Sequence, residues 1–68
     1  MKLSARNQLK GKILSVKKGA TTAHVTVSVG DQTMTASITN EAVEDLGLKP
    51  GQAAIVVIKA SDVMIAVD

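Results

Sequence analysis

Thr22-Ala23-His24-Val25-Thr26-Val27-Ser28-Val29, then Gly30-Asp31, then Gln32-Thr33-Met34-Thr35-Ala36-Ser37-Ile38, is the stretch whose pattern decides the fold. Ala23, Val25, Val27 and Val29 alternate with Thr22, His24, Thr26 and Ser28. A period of two in β-branched residues is a strand with one apolar and one polar face. Gly30-Asp31 is a tight hairpin turn. The next strand puts Met34, Ala36 and Ile38 on one face and Thr33, Thr35 and Ser37 on the other. Upstream, Leu9, Gly11, Ile13 and Ser15 alternate with Lys10, Lys12, Leu14 and Val16, so about Asn7 to Lys17 reads as a long first strand. Gly11 inside it marks a bulge or sharp bend, and Lys18-Gly19-Ala20 is a turn.

Downstream, Thr39-Asn40 supplies a helix N-cap. Glu41, Glu44 and Asp45 follow, with Ala42, Val43 and Leu46 as the apolar side and Gly47 as the residue that ends the helix. Lys49-Pro50-Gly51 has Pro and Gly where a type II turn wants them. Ala53 to Ala60 is a nearly continuous apolar run, expected as a strand buried on both sides. Ser61-Asp62 breaks it, and Val63 to Val67 reads as a last strand. Three strands, a short helix and two strands predict one all-β domain over residues 1–68: a five-stranded OB-like barrel with its helix between strands 3 and 4. An SH3-like barrel is the alternative.

Composition narrows the function. A chain of 68 residues buries about 60% of its unfolded surface, so it needs a staple. With no Cys, disulfides are excluded, and with His24 alone so is a zinc knuckle. No apolar run approaches ~20 residues, which excludes a membrane-spanning helix. Met1-Lys2 runs straight into polar Ser4-Ala5-Arg6-Asn7-Gln8, without a signal-peptide pattern. The expectation is a soluble cytoplasmic chain with no membrane partner, stapled by oligomerisation.

Catalysis is not expected. There is one His, no nucleophile–base pair and no Gly-rich phosphate loop; His24 reads as an outward or subunit-facing polar residue. The rival function is an OB-fold module for single-stranded nucleic acid. Such modules stack bases on aromatic side chains, at about 1–3 kcal/mol each. This chain has no Phe, Tyr or Trp, so nucleic acid is not the expected partner.

A small anion fits better. Lys2, Arg6, Lys10, Lys12, Lys17 and Lys18 precede residue 20, with no Asp or Glu among them. Ser4-Ala5-Arg6-Asn7 offers a hydroxyl, a guanidinium, an amide and backbone N–H groups ahead of the first strand. Lys59-Ala60-Ser61 repeats the theme after the most apolar strand. A tetrahedral oxyanion offers only acceptors at neutral pH, so it needs only donors, and neither segment carries a carboxylate before Asp62.

At these two segments the chain resembles a known family. Ser4-Ala5-Arg6-Asn7-Gln8-Leu9-Lys10-Gly11, with Lys59-Ala60-Ser61-Asp62-Val63-Met64, is similar to the molbindins, the small molybdenum-pterin-binding (Mop) proteins. The likeness extends over the whole length, through Lys17-Lys18-Gly19 and Leu46-Gly47-Leu48. It implies a TOBE/OB-like domain that binds molybdate or tungstate as an oxyanion, without direct protein–metal bonds, for storage in the cytoplasm. It implies a homohexamer, a trimer of dimers, with sites shared between subunits. Carried over, Ser4, Ala5, Arg6 and Asn7 line the anion from one subunit, and Lys59, Ala60 and Ser61 reach it from the partner. Thr39 stands where relatives carry Ser or Thr. Ala42 stands where relatives often carry Ser, so one hydroxyl donor is missing. A second class of site near the trimer axis falls loosely at Lys18-Gly19-Ala20-Thr21.

Overall fold

The computed structural model describes residues 1–68. Its elements are β1 (Asn7–Lys18), β2 (Thr22–Val29), β3 (Gln32–Thr39), α1 (Asn40–Leu46) and β4 (Ala53–Ile58), followed by a 3₁₀ turn at Ala60–Asp62. The sheet is antiparallel in the order β3-β2-β1-β4.

The hairpin that opened the argument forms as read. Val29 opposes Gln32, leaving Gly30-Asp31 as the two loop residues, and Gly30 takes φ 62°. Ala23, Val25 and Val27 are buried, and His24 faces solvent. They join Ile13 and Val43 in the core, against which Val16, Ile38, Leu48 and Val56 pack.

β1 serves two neighbours. Asn7–Lys12 pairs with β4, and Lys12–Lys18 pairs with β2. A bulge falls between Ile13 and Ser15, so Leu14 is the extra residue. The expected alternation of Ile13 and Ser15 against Leu14 and Val16 therefore breaks there. Ile13 is buried and Val16 half-buried on the same side, while Leu14 is exposed. Gly11 is not the bulge. A Cβ there would lie 2.3 Å from the Ser28 carbonyl oxygen, so Gly11 lets the β2 backbone come close.

The helix starts and stops as its caps dictate. The Ala42 N–H donates to Thr39 Oγ1 at 3.0 Å. At the other end Gly47 takes φ 62°, and Leu48 N–H reaches the Val43 carbonyl at 3.1 Å. Gln52 N–H closes the Lys49-Pro50-Gly51 turn onto the Lys49 carbonyl at 3.3 Å, with Gly51 at φ 88° as a type II turn requires. Gly51 N–H then donates to the Ile13 carbonyl at 2.8 Å, and Ile13 N–H to the Gln52 carbonyl at 2.9 Å, which seats the turn on β1.

Two expectations about the last third are corrected. β4 stops at Ile58 and is not buried on both sides. Ala54, Val56 and Ile58 are half-buried, whereas Ile55 and Val57 face solvent. The reason is position: β4 is an edge strand with nothing of its own chain over its outer face. Val63–Val67 forms no strand, because past the 3₁₀ turn it meets no sheet edge of this chain. The OB-like order of strands and helix is kept, but the sheet is open and four-stranded rather than a closed five-stranded barrel. No helix is long and apolar enough to cross a membrane.

Candidate anion site

β1 begins where β4 ends. Asn7 opposes Ile58, and Asn7 Nδ2 donates to the Ile58 carbonyl at 3.2 Å. That pairing brings Ser4-Ala5-Arg6-Asn7 and Lys59-Ala60-Ser61 to one end of the sheet, although they lie more than 50 residues apart in sequence.

The arm before β1 is held by its own side chains. Arg6 Nε donates to the Ser4 carbonyl at 3.0 Å, and its terminal nitrogen to the Leu3 carbonyl at 3.3 Å. Gln8 Nε2 donates to the Ala5 carbonyl at 3.1 Å. Three successive carbonyls are thus occupied, while the N–H groups of residues 3–6 have no partner in the chain. An anion is met by donors, and a segment with its acceptors occupied and its N–H groups free has the chemistry to receive one. Gln8 was missed from the sequence. From its exposed place in β1 its side chain reaches back to hold the arm, and an ordinary polar residue at a strand start gives no sign of that.

On the other side, the 3₁₀ turn is closed by Asp62 N–H to the Lys59 carbonyl at 2.9 Å and Val63 N–H to the Ala60 carbonyl at 3.2 Å. The N–H groups of Ala60 and Ser61 remain free, next to the exposed Lys59 ammonium. Asp62 is the sole carboxylate of this turn.

Thr39 is not brought to this end. It opposes Thr22 at the far edge of the sheet, beside the Lys18 end of β1. Eleven strand steps separate that end from Asn7, about 35 Å of path at about 3.3 Å per residue. Within one chain Thr39 caps the helix. It meets Arg6 only if another chain places it there.

The Lys18 end carries a separate polar cleft of about 220 Å³, lined by Lys17, Lys18, Gly19, Thr22 and His24. Ala20 and Thr21 do not line it. The Lys18 ammonium is paired with Glu44. That hydrogen bond, then the Lys18 charge, holds the Glu44 carboxyl below the usual carboxylate range. No group of three or more His, Asp or Glu side chains converges anywhere in the chain.

Comparison with known proteins places the chain in a family. Residues 3–65 match the TOBE domain family. The chain is 50% identical to molybdenum-pterin-binding protein 3 of Clostridium pasteurianum, over 96% of this chain and 97% of that one. It superposes on a molybdate-binding protein from Sporomusa ovata with TM-score 0.94 and 30% identity, covering 97% and 98% of the two chains. It also superposes on the cytoplasmic molybdate-binding protein ModG in a form with molybdate bound. There the TM-score is 0.89 and the identity 46%, over 94% of this chain and 46% of that one.

Proposed function

The chain belongs to the TOBE domain family, among the molybdenum-pterin-binding proteins, and on that premise we propose that it binds molybdate and tungstate reversibly, as a store. The observation that carries the reading is the convergence of Ser4–Asn7 with Lys59–Ser61 at one sheet end, with free N–H groups on both. Arg6 and Lys59 supply charge. Ser4 and Ser61 supply hydroxyls, and the backbone at Ala5 and Ala60 supplies N–H donors. Asn7 locks the two segments together. The protein holds and releases the anion without transforming it. Its setting is the cytoplasm, as for ModG.

The site is shared between subunits of a hexamer built as a trimer of dimers. Thr39 supports this, since it lies at the wrong end of its own chain and joins only from another. Charge-assisted donors make the binding strong and salt-sensitive. Selection against sulfate rests on the larger size of molybdate.

Calorimetric titration with molybdate, tungstate and sulfate tests the reading. Tight binding of the first two with weak sulfate binding is expected. Arg6→Ala or Lys59→Ala weakens molybdate by about 10- to 100-fold, the loss of one charge-assisted bond. Affinity unchanged from wild type in both variants overturns the site. Mixing the two variants then tests sharing. If Arg6 of one chain meets Lys59 of another, mixed assemblies regain intact sites; if both come from one chain, none is regained.

A further inference from the structure

The arm ahead of β1 is tied to the sheet by very little. Residues 1–6 make no backbone hydrogen bond to any strand. The Arg6 bonds to the Ser4 and Leu3 carbonyls span only two and three residues, so they fold the arm on itself. Arg6 stands outside β1, and these bonds move with the arm. The Asn7 amide is spent on the Ile58 carbonyl, across to β4. Gln8 is different. It lies in β1 opposite Val57, and its Nε2 donates to the Ala5 carbonyl at 3.1 Å. That is the only hydrogen bond between residues 1–6 and the sheet.

Its position gives this bond leverage. Ala5 has no polar side chain, so its backbone is the one polar handle by which a strand can hold it. The Ala5 carbonyl and the Arg6 N–H belong to one planar, trans peptide unit and point in opposite directions. Holding the carbonyl toward Gln8 therefore aims the Arg6 N–H away from Gln8, and that N–H is free. The facing segment, Lys59-Ala60-Ser61, is already held by the hydrogen bonds of its own 3₁₀ turn. The arm is thus the side of the site whose stance is open to change, and Gln8 is what fixes it.

We infer that Gln8 is a positioning residue that sets the spacing of the anion site and with it the preference for the larger oxyanion. The inference rests on the arm being the molybdate site. Donors fixed in advance reward the anion that fits their spacing. When the arm is released, the anion that fits loses more than the one that does not. Gln8 is uncharged and touches no anion in this role; it acts through the Ala5 peptide.

Gln8→Met keeps the length of the side chain and removes its donor. Wild type, Gln8→Met and Arg6→Ala, each as the full chain, are titrated with molybdate by calorimetry, and sulfate is read by competition. Melting without anion is measured alongside. Gln8 is exposed, so its bond competes with water. Gln8→Met is expected to weaken molybdate about 2- to 10-fold and sulfate by less, at the melting temperature of wild type. Unchanged molybdate affinity, or an equal loss for both anions, overturns the proposal. So does a lowered melting temperature without anion, which marks a structural role. In each of these cases, tight molybdate binding by wild type that Arg6→Ala weakens leaves the arm standing as the anion site. A wild type that does not prefer molybdate to sulfate removes that site and the proposal together.

Discussion

The two ends of β1 are built differently. At the Lys18 end the chain satisfies its own polar groups, apart from the buried Asn40 Oδ1, which has no partner. Asn40 N–H donates to the Thr21 carbonyl at 2.9 Å, Asn40 Nδ2 to the Gly19 carbonyl at 3.0 Å, and Gly19 N–H to the Thr22 carbonyl at 2.7 Å. Thr39 caps the helix and Lys18 meets Glu44. At the Asn7 end one amide joins β1 to β4, and beyond it lie free N–H groups, two cations and an apolar tail. The first end spends its polar groups on its own fold. The second leaves N–H groups without partners and apolar side chains exposed.

Substitutions can break or sharpen that contrast. The largest effect is expected at the closed core. Ile13→Ala removes a side chain that is 1% exposed and costs about 2–5 kcal/mol, read by chemical denaturation at fixed protein concentration. Gly11→Ala comes next. Its Cβ meets a backbone oxygen, which cannot swing aside as a side-chain tip would. Overpacking of about 1–3 kcal/mol follows. Thr39→Ala removes the cap for about 1 kcal/mol; Thr39→Ser restores it. A Thr39→Ala protein with full stability but weakened molybdate binding would move Thr39 from the closed end's account to the open end's.

The smallest effect is electrostatic. Glu44 is lowered from its ordinary value of 4.5 by Lys18. A carboxyl lowered in the folded state adds stability above its unfolded pKa, and that stability is lost as pH falls through the folded one. Wild type should therefore lose a small increment below about pH 4.5 that Glu44→Gln lacks, seen as converging melting temperatures in acid. Glu44 is solvent-exposed, so added salt should shrink the difference.

The closed end was the more legible in sequence, because its signals are local. Strict alternation at residues 22–38, a Thr N-cap and a Gly terminator each act within a few residues. The parity of β1 was not legible. Gly11 reads in sequence as a bulge or sharp bend, whereas the Ser28 backbone across the sheet makes it a point of close approach. The bulge fell instead at Leu14, an unremarked residue. For β4 and the tail the apolar run was visible, but burial belongs to a surface, and one chain supplies no cover for Ile55 and Val57. Of the candidate site, Arg6, Asn7 and Lys59 stood out by chemistry. Their meeting at one sheet end depends on the β1–β4 register, and the separation of Thr39 depends on strand order.

The bulge at Leu14 has an evolutionary reading. Ile13 and Val16 face inward with two residues between them, and one of those two is surplus to the ladder. Deleting Leu14 leaves Ile13, Ser15 and Val16 in strict alternation, every side chain on the face it already occupies. What changes is the bend between the half of β1 that holds β4 and the half that holds β2. Loss of this one codon therefore keeps the inward faces of β1 yet resets the angle at which the edge strand leaves the domain. Length variation at this point gives a lineage a way to try new packing geometries without first surviving a damaged interior.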